Sequence, residues 1–192
     1  MREKIINILK ESINIKEKII LEYIEDILKI SNLLLRCLKK GGKIILFGNG
    51  GSAADSQHIA AELIGRFKKD RPAISAIALT TNSSILTAIS NDYGFEFVFA
   101  KQIEGLASKN DVVIGISTSG NPENVINGIK KAKEIGLKTI ALTGSGGGKL
   151  SKIVDMALIV PSKNTARIQE AHITIGHVIC EFLEEELFKT KK

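Results

Sequence analysis

The sequence predicts an α/β fold: a three-layer sandwich in which helices cover both faces of a five-stranded parallel sheet, with extra helices at the N-terminus. Three observations predict it. From residue 43 onward, short apolar runs alternate with helical patterns, as in repeated strand–helix–strand units. Those runs are apolar throughout instead of alternating apolar and polar, which is how strands buried on both faces read. Before residue 43 the apolar residues instead recur at spacings of three and four, the helical period.

Taken in order, residues 3 to 38 form the helical N-terminus, carried by Ile5, Ile6, Leu9, Ile13, Ile20, Ile24, Leu28, Leu34, Leu35 and Leu38, with Asn14 as the candidate break between two helices. Ile19-Ile20-Leu21 and Leu33-Leu34-Leu35 widen the apolar face beyond what one neighbour covers, so a subunit interface is expected there. Gly41-Gly42 ends this region. Strand one is Lys43 to Phe47, with a helix from about Ser52 to Phe67. Strand two, Ile74 to Leu79, precedes helices from about Asn82 to Ser90 and Phe95 to Ala107. Strand three is Asp111 to Ile116, with a helix from Pro122 to Ile135. Strands four and five are Lys138 to Leu142 and Met156 to Val160, and a closing helix runs from about 165 to 187. The glycines from Gly144 to Gly148 read as a permissive connection rather than a linker. Residues 1–192 are therefore expected to form one domain, with a helical extension over 1–40.

Aromatic residues make up 5% of the chain and Trp is absent, so the core must be built from Ile, Leu, Val and Ala. Cys37 and Cys180 fall in apolar helical patterns, with neither the spacing of a disulfide framework nor that of a metal site, and are expected as buried free thiols. The net charge of +6 admits an anionic partner. Much of the excess lies in Lys39-Lys40, Lys68-Lys69 and the tail from Lys189 to Lys192, without interleaved aromatics, so it reads as solvated surface and not as a nucleic-acid footprint. No apolar stretch is long enough to span a bilayer, and the chain reads as cytoplasmic with no membrane partner.

Ligands of open α/β sheets gather at the carboxyl ends of the strands. Strand one ends in Gly48-Asn49-Gly50-Gly51-Ser52, strand two in Thr80-Thr81-Asn82-Ser83-Ser84, and strand three in Ser117-Thr118-Ser119-Gly120-Asn121-Pro122-Glu123-Asn124. Three consecutive hydroxyls leading into a helix that opens with Pro122 exceed what capping needs, and with free backbone N–H groups they describe a phosphate seat. Gly48 to Ala53 also fits G-x-G-x-x-A, but strand two ends in Leu79-Thr80-Thr81 with no acid for a ribose, so a dinucleotide is not expected.

His58 and Glu62, four residues apart, share one face of the helix that follows the first turn. The closing helix carries Gln169, Glu170, His172 and His177, with small Gly176 positioned to let another element approach. Spacing from His177 leaves Gln169 and Glu170 equally eligible as its companion. The chemistry suggested is proton transfer beside a carbonyl on a phosphorylated substrate, with a carboxylate acting at carbon and an imidazole at oxygen. Two imidazoles and a carboxylate also suit zinc, although residues drawn from two distant segments are not by themselves a metal signature.

With these residues in hand, the sequence resembles the sugar isomerase (SIS) domain family, whose fold is flavodoxin-like. The matching text is Phe47 to His58, Ala61-Glu62-Leu63, Gly65-Arg66-Phe67, Ser90-Asn91-Asp92-Tyr93-Gly94, Gly115 to Asn121, and Arg167-Ile168-Gln169-Glu170 ahead of His172 and His177. The resemblance covers the chain and is strongest to members that isomerise heptose phosphates. It implies conversion of sedoheptulose 7-phosphate to D-glycero-D-manno-heptose 7-phosphate, for lipopolysaccharide core or other surface glycans. It also implies a cytoplasmic homotetramer with active sites between subunits and one zinc ion per subunit.

Carried over residue by residue, the resemblance makes Glu62 the base and His177 its acid–base partner. It makes His58, Glu62, Gln169 and His177 the zinc ligands, which favours Gln169 over Glu170. Asn49, Gly50, Gly51, Ser52, Ser117, Thr118 and Ser119 become phosphate and pocket residues, with Asp55, Arg66, Asn91, Asp92 and Thr165 at further polar pocket positions. One departure is Pro122, where related sequences often carry a phosphate-binding serine; proline supplies no donor. The rival implication is a non-catalytic relative that binds the DNA replication initiator, whose expected mark is loss of the base or imidazole. Glu62 and His177 are both present. A sugar-sensing module usually comes attached to a DNA-binding domain, and a two-domain aminosugar enzyme would need about twice this length.

Overall fold

In a computed structural model, which describes residues 1–189, the central sheet has five strands, all parallel, in the order β2-β1-β3-β4-β5. They are β1 Ile44–Gly48, β2 Ala76–Ala78, β3 Val112–Ser117, β4 Lys138–Thr143 and β5 Met156–Ile159. The register runs Ile44 beside Ala76 on one side and beside Val112 on the other, and Val112 beside Lys138. The order reverses between β1 and β3, so the loops leaving these two strands diverge and open a crevice.

Alternate residues of each strand point to opposite faces, and both faces are buried. Ile44 and Leu46 join Ile114, Ile116, Ile140 and Leu142 in one core, under α2 (Ile24–Lys39), α3 (Gly51–Ile64) and α7 (Thr165–Leu187). Ile45 and Phe47 join Val113 and Ala141 in the other, under α5 (Val98–Leu106) and α6 (Glu123–Glu134), with the Phe47 and Phe99 rings stacked at 4.8 Å. Two covered faces are why the strands carry no alternation. Both cysteines are free and buried, and burial pushes the Cys37 thiol up to about 11 and the Cys180 thiol up to about 12, which disfavours the thiolate of each at neutral pH.

Several boundaries differ from the sequence expectation. The N-terminal break falls at Tyr23, between α1 (Arg2–Glu22) and α2, and not at Asn14. Asn14 is exposed inside α1, where asparagine costs only a few tenths of a kcal/mol against better helix formers. The turn comes where α1 leaves the body of the sheet, and only Ile15 and Ile19 of α1 are buried. Helix α3 stops at Ile64 rather than Phe67, and the next residues cross its end without regular structure. After α4 (Ser83–Asp92), a 3-10 turn at Phe95–Phe97 precedes α5. Among the described residues no helix is long and apolar enough to cross a membrane. Lys191 and Lys192, part of the basic tail, lie outside the described residues.

Candidate active site

The crevice between β1 and β3 holds a cavity of about 100 Å³ lined by Asn49, Ser52, Ser117, Thr118, Ser119, Pro122 and Gln169. It sits where α3 and α6 begin. Neither helix is closed by a side chain at its N-terminus, whereas Asn82 and Asn164 cap α4 and α7. The positive ends of two helix dipoles and the hydroxyls of three consecutive residues therefore face one small space, which favours an anion. A larger cavity, about 420 Å³, opens at the opposite edge of the sheet beside Cys37, Asp111 and Gly136. It lies at the C-terminal ends of α2 and α6, whose dipoles oppose an anion, so size does not locate the site.

Local bonds hold the crevice in shape. Gly50 takes φ +55, which turns the chain from β1 into α3. The Asn49 and Asn124 amides bond reciprocally at 2.9 Å, tying the first loop to α6. Ser117 Oγ accepts from the Gly120 amide at 3.1 Å. The loop after β4 lies against the same turn: Gly144 N donates to Thr118 O, Leu150 N to Gly120 O, and Lys149 N to Asn121 Oδ1. The sequence places Asn124 at the polar end of strand three and reads Gly144 to Gly148 as a permissive connection, but it assigns neither a part in holding the crevice. An asparagine inside a helix and a glycine run have many uses, and only the crossover between strands brings them here. The polar end of strand two is spent locally, with Asn82 capping α4 and Thr80 bonded to Gln57.

Beyond the cavity, α3 and α7 lie side by side on one face of the sheet. Gly176 makes the close approach possible: a β-carbon there would stand 2.7 Å from Ile59 Cδ1. Facing one another across this approach are His58 and Glu62 of α3 and His177 of α7. His58 Nε2 lies 3.1 Å from Glu62 Oε1 and 3.3 Å from His177 Nε2. One ligand atom from each of the three falls within 4.8 Å of the others. Phe67 stacks on the His177 ring at 5.6 Å between centroids. The cluster borders solvent, with the His58 side chain 48% and that of Glu62 25% exposed.

Gln169 lies over the first turn of α3, so close that a β-carbon on Gly51 would stand 2.4 Å from its Nε2. Glu170 instead pairs with Arg167, whose other nitrogen donates to the Ile8 carbonyl of α1 at 2.8 Å. Of the two candidates that helical spacing left open, Gln169 lines the crevice and Glu170 does not. Asp55, one turn before His58, has one carboxylate oxygen buried without a partner. Burial pushes its carboxyl up to about 6, against the opposing pull of His58. Arg66, Asn91, Asp92 and Thr165 are exposed and lie outside the crevice lining, Asn91 and Asp92 bonded to each other. Pro122 lines the cavity at the start of α6, where its ring offers no donor.

The fold and this crevice define a class. The SIS domain model matches residues 9–144, and the chain belongs to the SIS domain family. Within that family it groups with the phosphoheptose isomerases. Phosphoheptose isomerase of Aquifex aeolicus is 56% identical over 185 residues, covering 96% of this chain and 97% of the relative. The structure of phosphoheptose isomerase from Neisseria gonorrhoeae matches with TM-score 0.91 and 45% identity over 96% of this chain and 98% of that one. That from Francisella tularensis matches with TM-score 0.92 and 36% identity over 95% and 97%.

Proposed function

We infer that the chain is a phosphoheptose isomerase that converts sedoheptulose 7-phosphate to D-glycero-D-manno-heptose 7-phosphate. The carrying observation is that the anion cavity and the His58–Glu62–His177 cluster are set along the same two helices, with Ser52 of α3 and Gln169 of α7 at the cavity and the cluster further along both. His58 lies six residues beyond Ser52, roughly 9 Å along α3 at 1.5 Å per residue. An extended sugar phosphate carries its phosphate and its carbonyl far enough apart to reach both cavity and cluster.

The phosphate is held by Ser52, Ser117, Thr118 and Ser119 with the first amides of α3, while Asn49 and Gln169 line the pocket. Binding there orients the carbonyl end against Glu62 and supplies remote binding energy. Glu62 takes the proton from the carbon beside the carbonyl and returns it to the neighbouring carbon. His177 moves the proton between the two oxygens, which an imidazole does well near neutral pH. The intermediate is an enediol shared by ketose and aldose.

His58, Glu62 and His177, with Gln169, are the residues that would hold zinc. Their donor set supports the fit: a tetrahedral ion with bonds of 2.0–2.2 Å needs neighbouring donors about 3.4 Å apart, and two of the pairs here stand at 3.1 and 3.3 Å. When bound, zinc polarises the substrate's carbonyl oxygen.

Residues 1–192 are read as one SIS domain that works in the cytoplasm as a homotetramer. The assembly is supported by exposed Leu9, Ile13, Ile20, Leu21 and Ile24 along α1 and the start of α2, more apolar surface than a helix leaves to water. It also gives Arg66, Asn91, Asp92 and Thr165 a place, at sites formed between subunits. The initiator-binding alternative is not supported, because base and imidazole are both present and face each other.

Incubation with sedoheptulose 7-phosphate tests the activity, with product stereochemistry as the readout. Glu62→Gln is expected to lower kcat by roughly a thousandfold while assembly is retained; wild-type-like turnover would remove Glu62 as the base. Protein purified without chelator is expected to carry about one zinc per chain and to lose activity when stripped, and full activity in verified metal-free protein would make zinc dispensable.

A further inference from the structure

The segment between α3 and β2 crosses the end of α3 without regular structure, yet it is fixed by one buried ion pair. Arg71 and Glu184 meet at 3.0 Å, and each side chain is 2% exposed. Glu184 also accepts from three successive amides, those of Phe67, Lys68 and Lys69, at 3.3, 2.9 and 2.7 Å. Burial works to raise the Glu184 pKa, but these amides and the guanidinium outweigh it and hold the carboxyl below the usual range. Arg71 spends its remaining nitrogens on the end of α3. It donates to Glu62 O at 2.8 Å, Leu63 O at 2.7 Å and Gly65 O at 2.8 Å. The last carbonyls of a helix have no partner within it, so Arg71 is a C-terminal cap supplied from outside the helix.

This arrangement reaches both reactive groups. Glu62 is in the last turn of α3, and its own carbonyl is held by Arg71. Phe67, whose amide is held by Glu184, carries the ring that stacks on His177. Glu184 lies seven residues beyond His177 on α7, two turns along the same face. We propose that the Arg71–Glu184 pair is a positioning device for the isomerase, holding the Glu62 turn and the His177 ring in register without touching the substrate. The proposal rests on the assignment of Glu62 and His177 as the reactive groups.

A buried pair can also serve stability alone, so the test uses conservative variants and two readouts that stability does not move. Arg71→Lys keeps the charge but loses the planar fork, and Glu184→Gln keeps the shape but loses the charge. For each variant that keeps the wild-type circular dichroism spectrum and assembly, two quantities are measured. These are kcat and KM on sedoheptulose 7-phosphate, and the zinc dissociation constant by chelator competition. Positioning predicts kcat lowered 10- to 100-fold with KM within about twofold, and zinc bound at least tenfold more weakly. Wild-type kcat and zinc affinity in both folded variants overturn the proposal. If neither variant folds, Phe67→Leu carries the test, since it leaves the pair intact and removes the ring from His177. A drop in kcat and zinc affinity supports the proposal, and unchanged values overturn it. An inactive wild-type protein would instead refute the isomerase reading, and the zinc measurement would still decide the positioning.

Discussion

At the scale of single residues, tertiary environment separates groups that look alike in the chain. The chain has three histidines, and two of them, His58 and His177, stand with their Nε2 atoms 3.3 Å apart. The third, His172, is wholly buried, with Nε2 3.1 Å from the Thr143 carbonyl. Burial pushes its pKa down to about 4, and the bond to Thr143 opposes this only in part. Unfolded, the same imidazole titrates near 6.5. Between these values the unfolded chain takes up a proton that the folded chain refuses. The contribution is therefore complete above about pH 6.5 and is lost as pH falls toward 4, by up to about 3 kcal/mol. Asp55 acts in the opposite sense. Its carboxyl is raised to about 6, so its contribution is present at acid pH and declines as pH rises from about 4 to 6. The wild-type profile sums the two, and a variant isolates one. In His172→Leu, the loss on acidification is removed, so the variant's urea-unfolding free energy should gain on that of wild type as pH falls from 6.5 to 4, by up to about 3 kcal/mol. The Thr143 carbonyl keeps its bond from the Val160 amide, so the substitution orphans no acceptor. Equal pH dependence in the two proteins would remove His172 as the source.

At the scale of elements, the site is made by helix starts and by one helix end. The turn after β3 depends on Gly120, which takes φ +66 and lies against the loop after β4; a β-carbon there would stand 2.1 Å from Gly147 O. The obstacle is backbone, which cannot swing aside as a side chain does. Gly120→Ala should therefore cost roughly 2–4 kcal/mol and displace the Ser117–Ser119 hydroxyls, raising KM more than it lowers kcat. Chemical denaturation and steady-state kinetics check both parts, and a variant with wild-type stability would show that the two loops separate freely. The sequence marked the hydroxyls of this turn plainly, because three in succession are unusual. It marks the glycine loop only as a permissive connection, not as the support of this turn. The end of α3 was misplaced for a related reason: the apolar pattern runs on to Phe67, but Arg71 takes the final carbonyls and Glu184 draws the next amides away.

At the scale of the molecule, α1 projects beyond the core with apolar residues outward. Leu21 is 82% exposed in the single chain, a position for which water is a poor partner. On the proposed assembly, Leu21→Asp is expected to shift the protein toward smaller species in sedimentation velocity and to lower activity, since the proposed sites between subunits would be lost. An unchanged sedimentation coefficient with full activity would move the interface elsewhere. The same face explains why the N-terminal helices read as apolar on several sides: part of that surface covers the sheet, and the rest is exposed in the single chain, where the proposed assembly would cover it.

By itself the sequence determined the α/β class, the order of its elements and the residue types of the site. These are recorded locally, as apolar runs with no alternation, as turn residues after strands, and as His58 and Glu62 one helical turn apart. Tertiary structure decided which distant groups meet. The reversal of strand order between β1 and β3 sets Ser52 beside Ser117, and the approach of α3 and α7 at Gly176 brings His177 to His58 and turns Gln169 rather than Glu170 into the crevice. Nothing in the local sequence marks Arg71 and Glu184, and only folding buries them against each other. Spacing along one helix fixes only which side chains share its face. Which face meets which is set by burial of the core, and that is a property of the whole chain.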